Sequence, residues 1–182
     1  MKPRRRRRSK VVISDDGQIT LPSGAVCLID SDDVPFVRSL TLTLRQRRDG
    51  KRVVYCSSSN GFESLHRRLI GVADGIVVDH RNGDTLDNRR ANLRACSIAQ
   101  NNRNTALSRR SRTGFKGVLP RRGAFRAYGT VQGKHHHIGM FSTAEDAARA
   151  YDAFARQCFG EFACLNFPDP GEQSVHRGSA SK

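Results

Sequence analysis

An acidic residue beside a histidine, at the end of an apolar run, can hold a cation and move a proton. Asp79 and His80 follow Ile76-Val77-Val78 in this way, and Asn92 and Asn101 come after them. A strand that ends on such a pair gives the two side chains fixed, opposite directions. Oxygens of Asp and Asn are hard ligands, suited to Mg²⁺ or Mn²⁺ with water completing the shell. A neutral histidine can take a proton from water. Metal plus base, held against a basic surface, is what phosphodiester hydrolysis requires. Each residue alone is a weak signal, since Asp-His at a strand end is commonly a polar turn and Asn a common turn former. The placement of all four raises the odds.

The elements around them follow from pattern. The apolar run 76–78 reads as a short strand, 81–87 as a polar loop, and Leu93 to Cys96 as a strand that pairs back. Ser97 opens a helix with Gln100 three residues on, a capping-box pattern that could return Asn101 over the strand end. Upstream, Leu40, Leu42 and Leu44 alternate with polar residues as a half-buried strand. Asp49-Gly50 is a hairpin signal and Lys51 to Cys56 the return strand, followed by a loop over 57–61. Residues 63–72 read as helix, from Leu65, Leu69 and Val72.

The stretch Leu65-His66-Arg67, then Val78 through Arg94 with Asp79-His80, Asp84, Asp87-Asn88 and Asn92, then Gln100-Asn101-Asn102-Arg103-Asn104 closely resembles the HNH endonucleases of phage homing type. The resemblance is dense over about 40 residues and implies the ββα-metal nuclease fold. It makes Asp79 a metal ligand, His80 the general base, Asn92 the residue that supports the loop and orients the histidine, and Asn101 the second ligand. It implies one Mg²⁺ or Mn²⁺. His66, on the preceding helix, is expected in a structural or phosphate-contact role. A weaker similarity covers Ile19-x-Leu21, Gly24-x-Val26 and Asp30-x-x-Asp33, an N-terminal segment expected to scaffold the nuclease core.

Residues 114–168 carry a second pattern. Three short strand candidates are separated by Arg121–Gly123 and Gln132-Gly133-Lys134. A helix follows, expected to be capped by Ser142 with Glu145, with Ala147, Tyr151, Phe154 and Cys158 as its apolar stripe and Gly160 as its stop. With Gly114-Phe115-Lys116-Gly117-Val118, Phe125-Arg126-Ala127, Tyr151-Asp152 and Leu165-Asn166-Phe167-Pro168, the segment resembles the APETALA-type (ethylene-response-factor) DNA-binding domain. That implies a three-stranded antiparallel sheet packed on one helix, its exposed face in the major groove. Phe125 stands where that family usually has Trp, and Leu119 where many members have a base-reading Arg. Gly129 is expected to weaken the middle strand. Cys158 and Cys164 are expected in the core, and His135-His136-His137 on a strand facing phosphate.

Charge supports the partner. Lys plus Arg is 32 against 17 Asp plus Glu, a net charge of +15. Twelve of those basic residues lie between Asn88 and Ala144, where no acidic residue occurs. Such a run is the footprint that phosphate binding needs. Arg109, Arg110, Arg112, Lys116, Arg121, Arg122, Arg126 and Lys134 are the expected DNA contacts. No apolar run approaches the ~20 residues of a membrane span. Arg4 to Arg8 are not followed by an apolar signal-peptide core, and the five cysteines are odd in number without a CxxC pair, so neither a disulfide framework nor a four-cysteine zinc site is expected. A reduced cytoplasm fits best.

The expected fold class is α+β: a basic disordered tail (1–10), a β-rich N-terminal segment (11–62), an HNH core (63–104), a basic linker (105–113), the sheet-and-helix module (114–168) and a polar tail (169–182). The expected function is metal-dependent cleavage of double-stranded DNA by a monomer or dimer, as a homing-type nicking enzyme, with no protein partner implied. The rival is a non-catalytic DNA-binding regulator with a degenerate nuclease core. An RNA-binding role is weaker still, because the sheet lacks aromatic stacking pairs.

Overall fold

The computed structural model describes residues 10–58, 61–103, 107, 108 and 110–176. The basic tail up to residue 9, residues 59, 60 and 104–106, Arg109 and residues 177–182 lie outside the described residues. The chain divides into two compact units, Met1–Cys96 and Ser97–Lys182. Small sheets and few helices make it a mixed α and β protein.

Among its described residues the first unit has three antiparallel sheets. β1 (Val12–Ile13), β2 (Gln18–Thr20) and β3 (Val26–Leu28) form one. α1 (Val34–Arg38) leads to β4 (Leu42–Gln46), β5 (Arg52–Ser58) and β6 (Gly61–Ser64), the second sheet. The segment read as a loop over 57–61 is in part strand, because β5 runs on to Ser58 and pairs with β6. α2 (Leu65–Ile70) follows, shorter than the pattern suggested, and stops at Gly71 in the left-handed region, φ 67°. β7 (Val77–His80) and β8 (Leu93–Cys96) form the third sheet.

One core serves all of these. Ile19, Leu21, Cys27 and Ile29 pack with Val54, Leu65, Leu69, Val78, Leu86 and Leu93. The expected boundary between residues 62 and 63 therefore separates no two cores. The N-terminal strands are structural for the β7–β8 hairpin. The loop between β7 and β8 is stitched to β3, with Leu28 N–H donating to Leu86 O (2.8 Å) and Asn88 N–H to Leu28 O (2.7 Å).

The second unit begins with α3 (Ile98–Arg103). Its capping box is formed as the spacing predicts: Ser97 N–H donates to Gln100 Oε1 (2.8 Å) and Gln100 N–H to Ser97 Oγ (3.2 Å). β9 (Val118–Arg121), β10 (Ala124–Val131) and β11 (Lys134–Phe141) make an antiparallel sheet in the order β9-β10-β11. Both hairpin turns have two residues with positive φ, Arg122 with Gly123 and Gln132 with Gly133. That is the turn geometry that matches strand twist.

α4 (Ala144–Phe159) covers one face of this sheet. Its cap is Thr143, not Ser142: Thr143 Oγ1 accepts from Asp146 N–H (3.1 Å). The buried stripe includes Ala147, Ala148, Tyr151, Asp152 and Ala155, while Cys158 is exposed and only Cys164 is in the core. Gly129 has a positive role. A Cβ there would run into the ring of Phe154, so the glycine lets α4 lie against β10. Asp152 is fully buried and accepts from Asn166 N–H (2.9 Å), Asn166 Nδ2 (3.0 Å) and Phe167 N–H (2.8 Å). It ties the segment after α4 to the helix. No helix among the described residues is long and apolar enough to cross a membrane.

Candidate active site and nucleic-acid face

Asp79 and His80 are the last two residues of β7, opposite Arg94 and Leu93 of β8. Both are buried, at 7% and 5% exposure. Directly opposed residues of an antiparallel pair share a face, and Asp79 meets Arg94 there. Arg94 donates from Nε (3.1 Å) and Nη2 (2.7 Å) to Asp79 Oδ2. Arg94 is itself buried. A buried carboxylate without such a partner would be strongly disfavoured.

His80 is held from the other side. Its Nε2 lies 3.1 Å from Asn88 Oδ1, and Asn88 Nδ2 lies 3.0 Å from Cys27 Sγ. Burial pushes the Cys27 thiol up to about 12, so it stays a neutral S–H; that hydrogen is turned toward Leu28 O (3.9 Å). The sulfur is then the acceptor for the Asn88 amide N–H. This fixes Asn88 Oδ1 as an acceptor facing the imidazole, and His80 Nε2 must carry the hydrogen. The lone pair is left on Nδ1. Burial lowers the His80 pKa, opposed by the Asn88 bond and the Asp79 charge. The ring is therefore neutral at neutral pH, as a base must be.

The expected partner of His80 was Asn92. Its side chain bonds the loop instead, with Oδ1 accepting from Asn82 N–H (2.9 Å) and Nδ2 donating to Asp87 O (2.7 Å). Loop support is thus its role, and contact with the ring falls to Asn88. The reason is register: β8 begins at Leu93, so Asn92 sits where the chain turns and its amide meets loop backbone. Asn82 adds a bond to Asp87 Oδ2 (2.9 Å), and Arg89 grips Asp87 with two bonds of 2.8 Å.

His66 packs edge-on against His80, ring centroids 5.0 Å apart. Its Nε2 is 3.1 Å from Ser64 Oγ, and its Nδ1 is buried with no partner among the described residues. Burial, helped by the neighbouring His80, pushes its pKa down to about 3.

Asn101 lies on α3, half-buried, in the second unit. Among the described residues no three His, Cys, Asp or Glu side chains form a metal-binding group. The expected donor set is of another kind, one carboxylate and one amide oxygen. Its carboxylate is a hard oxygen donor of the kind a divalent cation takes, and Arg94 engages its Oδ2.

Not all of the basic run is available to DNA. Arg89, Arg90 and Arg94 pair with Asp87, Asp33 and Asp79 inside the first unit. In the second unit, Arg110, Arg112, Arg121, Arg122 and Lys134 are exposed. Lys116 is half-buried and donates Nζ to Arg103 O (3.0 Å). Arg126 points out of the sheet face opposite α4, with Nε bonded to His137 Nδ1 (3.2 Å). The three histidines split by alternation. His135 and His137 join the outer face, and His136 packs on Phe154 (5.7 Å).

Asn88, Arg94 and Cys27 were missed as site residues. Arg94 was legible in principle, because pairing Leu93 with His80 puts it opposite Asp79. Nothing in the sequence marks Cys27.

The family described as HNH endonuclease matches residues 71–103, which contain β7, the loop, β8 and α3. An uncharacterized HNH endonuclease of Acanthamoeba polyphaga mimivirus is 32% identical over 149 residues, covering 79% of this chain and 75% of the relative. No solved structure matches the chain.

Proposed function

The chain belongs to the HNH endonucleases, and on that premise we propose that it hydrolyses phosphodiester bonds of duplex DNA with His80 as the base and Asp79 as a ligand of Mg²⁺ or Mn²⁺. The observation that carries this reading is the bond chain Cys27–Asn88–His80. With Nε2 on Asn88, Nδ1 is the ring nitrogen we assign to take a proton from the attacking water. Asn88 keeps the ring in that tautomer, and Asn92 keeps the loop that carries Asn88 in place. Arg94 holds the Asp79 carboxylate in one orientation. Asn101 is proposed as the second ligand on the family motif alone. When bound, the cation would supply positive charge to the leaving 3′ oxygen.

Phosphate binding is assigned to Arg110, Arg112, Arg121, Arg122 and Lys134, with Arg126 toward the bases. Arg109 is assigned with them from sequence. The likeness of residues 114–168 to APETALA-type domains, and the basic outer face of β9–β11, support a positioning role for the second unit. One base per chain suits the cutting of one strand, in keeping with a homing-type enzyme of a phage or mobile element. A second reading, a DNA-binding regulator without catalysis, draws on the Arg94 grip on Asp79, which engages an oxygen that a cation would otherwise use.

Incubation of supercoiled plasmid with the full chain separates the two. The expected result is open-circular product with Mg²⁺ or Mn²⁺, none with excess chelator, and DNA binding in both. Undiminished cutting in chelator would contradict the metal. Binding without cutting in either ion would move the chain to the second reading.

A further inference from the structure

The outer face of β9–β11 is not uniformly basic. Arg126 stands at its centre, directly opposite Leu119 of β9 and Met140 of β11. The neighbours Phe125 and Ala127 pack toward α4, so these three side chains share the other face. Leu119 is 45% exposed and Met140 47%. Two large apolar side chains thus flank one arginine. Four Lys and Arg and no acidic residue occur between Val118 and Phe141. A polyanion is the partner such a surface fits.

Arg126 is prepared for a particular contact. His137 Nδ1 accepts from its Nε and orients the guanidinium. Its two terminal nitrogens have no acceptor among the described residues. A planar pair of donors presented this way matches O6 and N7 of guanine in the major groove, and an exposed apolar side chain matches the 5-methyl group of thymine. Strands are about 4.8 Å apart and base pairs about 3.4 Å. The side chains on either side of Arg126 therefore reach one or two base steps away.

We propose that Leu119, Arg126 and Met140 form one base-reading row, which takes a G·C pair with A·T pairs one or two steps to either side, the thymine methyls against Leu119 and Met140. This rests on the reading that the sheet meets duplex DNA, and it gives that sheet a sequence preference.

The test uses the full chain in chelator, so that DNA is bound and not cut. Bound duplexes are selected from a random pool, and the selected site is remade with deoxyuridine in place of thymidine, which removes only the methyl groups. Burial of one methyl predicts a loss of about threefold to fourfold in affinity per thymine contacted. The double variant Leu119→Ala/Met140→Ala should bind the two forms of the site alike, and each single variant should lose only the share of the difference that its own contact supplies. Arg126→Lys keeps the charge and loses the fork, and should lower the preference for guanine by about tenfold or more while non-specific binding persists.

Equal affinity of the wild-type chain for the thymidine and deoxyuridine sites would overturn the methyl contacts and leave the sheet on DNA. A selected site with no guanine preference, together with unchanged affinity in Arg126→Ala, would remove the sheet from DNA altogether. Loss of self-association in Leu119→Ala, with DNA affinity unchanged, would make the face a contact between copies of the chain and overturn the proposal. Because the deoxyuridine arm alters only the DNA, a folding defect in a variant cannot imitate its result.

Discussion

Arg94 and Arg126 each sit in the middle of an antiparallel pair, and they do opposite things. Arg94, in the first unit, is buried and its donors are taken by Asp79. Arg126, in the second, is held among the described residues only at Nε, by a histidine. The same contrast holds around them. Arg38, Arg89, Arg90 and Arg94 meet aspartates within the first unit. In the second unit Arg156 is paired with acidic groups, Asp169 and Glu172. Charge used internally fixes the direction of a reactive group. Charge left without an acceptor is ready for a partner. Net charge alone does not distinguish the two, and the register of the strands does.

The largest effect expected from breaking this contrast lies in folding. Arg94→Leu leaves the Asp79 carboxylate buried without its partner. Loss of one member of a buried ion pair costs about 3–5 kcal/mol. Urea unfolding of the variant should show a loss of that size, whereas Arg121→Leu, which is exposed, should stay within about 0.5 kcal/mol of wild type. Equal stability of the two variants would mean that Arg94 is not structural.

A smaller effect falls on chemistry. Asn88→Ala frees the His80 ring to take either tautomer, and the single-turnover cutting rate should fall by about 10- to 100-fold, the range for losing a residue that orients a reactive group through its neighbour. DNA affinity should not change. A rate within twofold of wild type would return the orienting role to Asn92 or to the backbone.

The strands, the hairpins and the sheet-and-helix module could be read from alternation and turn residues, and the Ser97 box from spacing alone. The placement of Asp79 and His80 at the end of a strand was legible from the apolar run before them. What holds them was not. Asn88 reads as a turn residue, and only the attachment of its loop to β3 brings it between Cys27 and His80. The cap at Thr143 was displaced by one residue, since Ser142 and Thr143 are both good caps and the frame of α4 decides between them. Cys158 followed the apolar period and still faces solvent. The burial of α4 is carried by its alanines, which a search for large side chains passes over.

On the other side of the contrast, single phosphate contacts should each be modest. Six contacts would give a slope of log K against log salt near −5, at about −0.9 per contact. Arg121→Ala, Arg122→Ala and Lys134→Ala should each make the slope shallower by about 0.9, measured by fluorescence anisotropy. Arg89→Ala, whose guanidinium is on Asp87, should leave it unchanged. A shift of equal size in Arg89→Ala would erase the distinction between internal and available charge.

A further effect concerns His66 and appears in the pH dependence of stability. Its pKa is depressed from 6.5 in the unfolded chain to about 3 in the folded one. Below pH 6.5 the unfolded state binds a proton that the folded state refuses, so stability falls as pH drops from about 6.5 toward 3. His66→Gln removes that titration. The melting temperature of the variant should fall less than that of wild type between pH 7 and pH 4.5. Parallel curves would mean that His66 is open to protonation in the folded protein.

The account stands most directly on His80. With Mg²⁺, enzyme in excess and plasmid bound to saturation, His80→Ala should cut on the order of 10²- to 10⁴-fold more slowly than wild type, the range for losing a general base, with unchanged DNA affinity and an unchanged melting curve. A loss of tenfold or less in that variant would show that another group takes the proton, and the site centred on β7 would be wrongly assigned.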